Sequence, residues 1–267
     1  MTAPAPTLRR HPRFASSILT PDRDLVVYLP PGYEDGAQPL PVLYMQDGQN
    51  LFDPETAHIK GQHWRLGETA DTLIGAGLLA PLIIVGVCNT GHSRIHEYTP
   101  TSDARLGGGQ ADDYGRFLIE ELKPFIDRTY RTCSGPSATG LGGSSLGALV
   151  SLHIGLARPD VFGRLAVMSP SVWWDRRVIL KTVRAARPKP SLRIWVDMGT
   201  AEGRRGLDDA RLLKAALVGA GWKPNQDLHY AEYPGATHSE AAWADRAGTM
   251  LEWLFEAPSQ RSPGAGS

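Results

Sequence analysis

Gly142-Gly143-Ser144-Ser145-Leu146-Gly147, running straight on into Ala148 to Arg158, is the stretch on which the fold is read. Ahead of it, Ser137-Ala138-Thr139-Gly140-Leu141 is short, small and apolar. Behind it, Leu146, Leu149, Leu152, Ile154 and Leu156 recur at helical spacing. The order predicted is strand, sharp turn, helix. Within it Gly143 to Gly147 reads G-x-S-x-G, the pattern of a turn so tight that its central serine is held in a strained backbone conformation. Side chains two residues before and after that serine would collide with the neighbouring strand and helix, which is why both are glycine. The Ser145 hydroxyl then stands at the start of a helix, whose free N–H groups favour a developing negative charge. The same letters also suit a glycine-rich turn with a capping serine. Placement and downstream partners decide between the two.

Outward from this turn, short β-like runs alternate with helical patterns. The runs are Asp24 to Leu29, Val42 to Gln46, Leu82 to Val87, Ser137 to Leu141, Leu165 to Met168, Leu192 to Met198 and Leu228 to Tyr233. Helical stretches are expected at Trp64 to Ala76, Asp113 to Thr129, Leu146 to Arg158, Asp208 to Gly221 and Glu240 to Phe255. That alternation predicts an α/β fold with a mostly parallel central sheet covered by helices on both faces. No helix separates the first two runs, so an antiparallel hairpin is expected to open the sheet.

Length and composition fit one domain. The chain has 267 residues, 42% of them apolar, with 28 basic against 28 acidic side chains, so no net charge draws it to nucleic acid or an anionic membrane. Residues 1–12 and 257–267, rich in Pro, Ala, Gly and Ser, are expected as flexible ends around a domain at 13–256. Met1 to Arg13 lacks an apolar signal core and no run is long enough to cross a bilayer, so a cytoplasmic protein is expected. Cys88 and Cys133 have no metal-ligand spacing and no neighbouring base.

In such sheets ligands bind outside the carboxyl ends of the strands. Ser145 follows one of them, Thr200-Ala201-Glu202-Gly203 another, and Gly235-Ala236-Thr237-His238 the last. A serine hydroxyl needs a base to take its proton as it attacks, and imidazole suits that task near neutral pH. Of eight histidines, His238 alone lies between the last strand and the last helix. His153 and His229 fall inside elements, and His58, His63, His92 and His96 are scattered in loops without metal-ligand spacing. Glu202 is the acid expected to orient His238, ahead of Asp197 inside a strand and Asp208 at a helix start. Leu146, next after the nucleophile, supplies one backbone N–H for an oxyanion. Gln49, after the close-approach glycine Gly48, supplies the second.

These residues carry a resemblance. Val27-Tyr28-Leu29-Pro30-Pro31-Gly32-Tyr33, Gln46-Asp47-Gly48-Gln49-Asn50-Leu51-Phe52, Arg94 with Glu97-Tyr98-Thr99-Pro100, Gly142 to Gly147, Ser169-Pro170-Ser171-Val172-Trp173-Trp174 and Gly235-Ala236-Thr237-His238-Ser239-Glu240 with Trp243 resemble the esterase branch of the α/β-hydrolases. That group contains enterochelin esterases, feruloyl esterase domains and, more distantly, mycolyltransferases and S-formylglutathione hydrolases. The likeness runs from about Phe14 to Phe255. It implies an α/β-hydrolase fold and hydrolysis of a small-molecule carboxylic ester through an acyl-enzyme on Ser145. It also implies His238 as base, Gln49 and Leu146 as oxyanion hole, and no metal or organic cofactor. Trp64, Arg94, Tyr98 and Trp174 match positions lining the family's pocket, while Trp173 is expected to pack beneath loops. One departure is Ala148, where many relatives carry a second glycine. An acyltransferase using the same acyl-enzyme, and a silent scaffold that binds a partner, are the alternatives. The full complement of nucleophile, base and acid argues against the scaffold.

Overall fold

The computed structural model describes residues 6–257. Its centre is an eight-stranded sheet built from β1 (Thr7–Phe14), β2 (Arg23–Leu29), β3 (Val42–Gln46), β4 (Ile83–Val87), β7 (Thr139–Ser144), β8 (Arg164–Met168), β9 (Arg193–Gly199) and β10 (Leu228–Tyr233). The strand order is β1-β2-β4-β3-β7-β8-β9-β10. From β4 onward every neighbour is parallel, whereas β2 runs antiparallel to both β1 and β4. A separate two-stranded ribbon joins β5 (Ser102–Asp103) to β6 (Gly107–Gly108).

A parallel sheet needs apolar side chains on both faces, and the strands supply them by strict alternation. Val42, Tyr44, Ile83, Val85, Leu165, Val167, Ile194 and Val196 point into one core cluster, and Leu43, Met45, Ile84, Ala166, Met168 and Trp195 into the other. The first is covered by α3 (Ala111–Arg116), α4 (Lys123–Thr129), α5 (Leu146–Ala157), α6 (Trp174–Ala185) and α7 (Arg204–Ala220), through residues such as Tyr114, Leu149, Leu180 and Leu217. The second is covered by α1 (Leu66–Gly75) and α8 (Glu240–Leu254), through Leu66, Ala70, Trp243, Ala247 and Leu251. A one-turn helix, α2 (Arg94–Glu97), follows β4. No helix among the described residues is long and apolar enough to cross a membrane.

The α/β expectation holds, with three revisions. The opening hairpin is present, but it joins residues 7–14 to 23–29. The run at 42–46 instead lies two strands away and pairs parallel with β4 and β7. Half of the expected flexible lead, residues 7–12, is therefore strand. Thr-Leu-Arg-Arg-His-Pro-Arg-Phe reads as polar because an edge strand is held by backbone pairing and favours charged side chains on its open side. The serine strand is Thr139–Ser144, starting two and ending three residues further on than the sequence suggests, with a short 3₁₀ turn at Pro136–Ala138 before it. Glycine-rich TGLGGS has little β-propensity of its own, so close neighbours set its limits. The helix α6 was not foreseen, although Ile179, Leu180 and Val183 are its buried stripe. The expected tail at 258–267 lies outside the described residues.

Candidate active site

Ser145 sits at the carboxyl end of β7 with φ 58 and ψ −121, a conformation that an L-residue adopts only under constraint. Its N–H donates to the Met168 carbonyl at 3.1 Å, and its carbonyl accepts from Leu149 N and Ser171 N, each at 3.1 Å. The flanking glycines are required by contact. A Cβ on Gly143 would lie 2.9 Å from the Gln46 Cβ, and one on Gly147 would meet the same atom at 2.9 Å. Gln46 is pinned in turn by Tyr114 and by a 3.4 Å bond to Ser151. Although Ser145 occupies the N-cap position of α5, its side chain makes no capping bond. The hydroxyl is therefore free for other work, and its side-chain partner is Ser171 Oγ at 3.2 Å.

The loops after β9 and β10 bring Glu202 and His238 together. His238 Nδ1 lies 2.6 Å from Glu202 Oε2. The other carboxylate oxygen accepts from Ser169 Oγ at 2.6 Å and from the Gly199 N–H at 2.8 Å. Burial alone would raise this carboxyl, but the bonds from His238, Ser169 and Gly199 outweigh it and hold Glu202 below its usual range. Its side chain is 1% exposed, against 47% for His238. The imidazole leans edge-on against the Trp243 ring, with centroids 4.9 Å apart. Ser239 caps α8 by accepting from Ala242 N at 3.4 Å, and this fixes where the helix starts just beyond His238.

Asp197, the other acid considered, is turned away from His238. Its carboxylate faces Trp195 Nε1 at 2.7 Å and Arg246 Nη2 at 3.0 Å. Complete burial pushes it up to about 6, against the pull of Arg246 and the indole N–H.

The loop after β3 approaches the nucleophile from the other side. Asp47 takes the left-handed conformation, φ 57 and ψ 46, and Gly48 opens a short 3₁₀ turn, Gly48–Asn50. A Cβ on Gly48 would meet the Gly86 carbonyl carbon at 2.4 Å, so only glycine lets the loop lie this close to β4. The backbone N–H groups of Gln49 and Leu146 have no acceptor among the described hydrogen bonds. Among the described residues, no three His, Cys, Asp or Glu side chains are grouped so as to hold a metal.

A strained serine at a strand-to-helix turn, with a histidine–carboxylate pair on neighbouring strand ends, is the local geometry of a serine hydrolase. The family described as "Putative esterase" matches residues 16–254. The chain belongs to this esterase family. It is a carboxylic ester hydrolase. YbbA of Bacillus subtilis is 26% identical over 88% of this chain and 93% of its own length. The endo-1,4-beta-xylanase/feruloyl esterase of Xylanibacter ruminicola is 27% identical over 86% of this chain, which spans 29% of that longer protein. The crystal structure of an IroE-like serine hydrolase from Shewanella oneidensis superposes with a TM-score of 0.75 at 21% identity, covering 94% of this chain and 80% of that one. At that identity the likeness is one of fold.

The pocket residues expected in this esterase are placed differently from the expectation. Trp64, Tyr98 and Trp174 are buried to 2%, 0% and 0% exposure. Trp64 packs against Trp243, the Tyr98 hydroxyl accepts from the Asp47 N–H at 3.3 Å, and Trp174 Nε1 donates to the Thr101 carbonyl at 3.0 Å. They support the loops and show a ligand no surface. Arg94 is committed to Asp47 through two bonds of 2.8 Å. Asn89 Nδ2 also donates to Asp47, at 2.7 Å, so this carboxylate ties together the loops after β3 and β4. Trp173, expected to pack, is 40% exposed. Adjacent indoles cannot both enter the core from one turn, and Trp174 takes that place. In the sequence Ser169 and Ser171 stand out only as part of a motif. Their position after a strand end was the signal, and nothing local shows that one meets Glu202 and the other Ser145.

Proposed function

We propose that this esterase works through an acyl-enzyme on Ser145, with His238 as general base, Glu202 as its orienting carboxylate, and Gln49 and Leu146 as oxyanion donors. The observation that carries the reading is the 2.6 Å contact between Glu202 Oε2 and His238 Nδ1, on the same edge of the sheet as the strained Ser145. A carboxylate only accepts, so the proton of a neutral imidazole lies on Nδ1 and leaves the Nε2 lone pair as the base.

Attack begins when the Ser145 hydroxyl leaves its partner Ser171 Oγ, 3.2 Å away, and gives its proton to His238. Oγ adds to the ester carbonyl carbon while its proton passes to Nε2. Glu202 stabilises the imidazolium so formed, and the negative charge gathers on the former carbonyl oxygen, where two backbone N–H groups can meet it. Collapse expels the alcohol, which takes the proton from Nε2. Water then attacks the acyl group with His238 again as base. The exposed Trp173 indole, two residues beyond Ser171, suits an aromatic part of the substrate, in keeping with a feruloyl esterase and a siderophore esterase among the relatives.

The test is intact-protein mass spectrometry after incubation with a fluorophosphonate, beside Ser145→Ala. One stoichiometric adduct mapping to Ser145, absent from a folded variant that no longer hydrolyses p-nitrophenyl acetate, is expected. Wild-type turnover by the variant would overturn the mechanism.

A further inference from the structure

A carboxylate is a poor neighbour for an oxyanion hole, yet Asp47 stands beside this one. It lies two residues before Gln49, and its side chain is turned against the start of α5, where a Cβ on Gly147 would meet Asp47 Oδ2 at 3.3 Å. Gly147 follows Leu146. Both backbone N–H groups that receive the negative oxygen of the tetrahedral intermediate thus belong to segments that Asp47 adjoins. Two like unit charges about 6 Å apart, at an effective dielectric constant of about 20, repel strongly enough to slow a reaction about 10²-fold.

Three bonds hold the carboxylate. Arg94 Nε donates to Oδ1 and Arg94 Nη2 to Oδ2, both at 2.8 Å, and Asn89 Nδ2 donates to Oδ1 at 2.7 Å. Of these donors only the guanidinium carries a charge. It sits over the Tyr98 ring, 5.1 Å from the centroid, and the Tyr98 hydroxyl accepts the Asp47 N–H at 3.3 Å. The Asp47 side chain is 10% exposed and that of Arg94 28%, so water screens this carboxylate poorly. Burial disfavours the charge on Arg94, but the bonds to Asp47 outweigh it and raise its pKa. Gln49 has holds of its own: its Oε1 accepts from Asn89 N at 3.2 Å and its carbonyl from Thr56 Oγ1 at 2.8 Å. What Arg94 alone supplies is the positive charge.

We propose that Arg94 is a positioning residue for ester hydrolysis that acts through Asp47, cancelling a carboxylate charge that would otherwise oppose the oxyanion at the Gln49 and Leu146 N–H groups. The proposal rests on the oxyanion-hole reading above. It gives Arg94 an electrostatic task in the transition state and no place on the substrate.

The experiment compares hydrolysis of p-nitrophenyl acetate at pH 7.5 by the whole protein and by Arg94→Gln, Arg94→Lys and the double variant Asp47→Asn/Arg94→Gln, each checked for folding by circular dichroism. Arg94→Gln can still donate to Asp47 but has lost the charge, and kcat is expected to fall about 10²-fold with KM within about twofold. Arg94→Lys gives up the fork and keeps the charge, so it should stay within about fivefold of wild type. The double variant has no carboxylate left to cancel, and its kcat should recover to within about tenfold of wild type. A tie that only held the loops in place would be lost at least as fully in the double variant as in Arg94→Gln, so recovery separates charge from structure. A double variant no faster than Arg94→Gln, Arg94→Lys as slow as Arg94→Gln, or a raised KM with kcat spared would overturn the proposal, while the fluorophosphonate adduct on wild-type Ser145 would leave the triad standing.

Discussion

Replacing Glu202 by glutamine keeps shape and burial and changes only which atoms can donate. The wild-type carboxylate accepts three bonds, from Ser169 Oγ and Gly199 N on Oε1 and from His238 Nδ1 on Oε2. A glutamine has one oxygen to accept and one NH₂ that can only donate. Its NH₂ cannot face Ser169, whose lone pairs are filled by Trp243 and Arg246, nor the Gly199 N–H, which is itself a donor. The amide oxygen is therefore forced onto the Ser169 side and the NH₂ onto His238, donor against donor. Imidazole answers by moving its proton to Nε2, the wrong tautomer for a base. In a chymotrypsin-type triad the same exchange costs about 10⁴ in kcat. Here His238 is 47% exposed, and water can relieve part of the conflict. A loss of about 10³-fold in kcat, or about 4 kcal/mol of activation free energy, is expected. Glu202→Ala should lose less, because water can enter the vacated space and accept the Nδ1 proton. The assay is steady-state hydrolysis of p-nitrophenyl acetate with circular dichroism to confirm folding. A folded Glu202→Gln enzyme within tenfold of wild type, or one more active than Glu202→Ala, would refute the argument.

Three further outcomes follow from other parts of the molecule. Gly48→Ala places a Cβ 2.4 Å from the Gly86 backbone, so the loop carrying Gln49 must move. A stability loss of about 2 kcal/mol and a fall in kcat of about 10²-fold, from one displaced oxyanion donor, are expected in melting and kinetic measurements. Asp197, pushed from 3.8 up to about 6, favours the folded state below its ordinary value and loses that contribution as pH rises through 6. Glu202, held below its usual range, has the opposite sign and weakens the fold as pH drops beneath it. The melting temperature should thus fall as pH rises from Asp197's ordinary 3.8 through about 6 and level off above it, and Asp197→Asn should flatten that fall while lowering the whole curve because Arg246 loses its partner. An unchanged slope in that variant would count against the burial argument. Trp173→Ala should raise KM for an aromatic acyl ester about two- to tenfold and leave KM for an acetyl ester alone; equal effects on both would remove Trp173 from the binding surface.

Local chemistry made much of this protein legible in its sequence. Gly143, Ser145 and Gly147 announce their turn because the steric conflict they avoid lies within the turn and the strands beside it. Alternating apolar runs at 42–46, 83–87 and 165–168 announce a sheet buried on both faces, since a parallel strand is apolar whatever its neighbours. The order Ser145, Glu202, His238 is readable because each follows a strand, and parallel strands end on one edge. What the tertiary structure alone decided are the facts that depend on which distant residues meet. Thr7–Phe14 is a strand only because β2 offers it backbone partners. Trp174 is buried and Trp173 exposed because one indole fills the space beside the Thr101 carbonyl. Arg94 and Asp47 neutralise each other across two loops, and Ser169 meets Trp243, Arg246 and Glu202 from three separate parts of the chain. Sequence records the donors and acceptors each residue carries, whereas the pairing among them is a property of positions in space, set when burial leaves each polar group only the partners within reach.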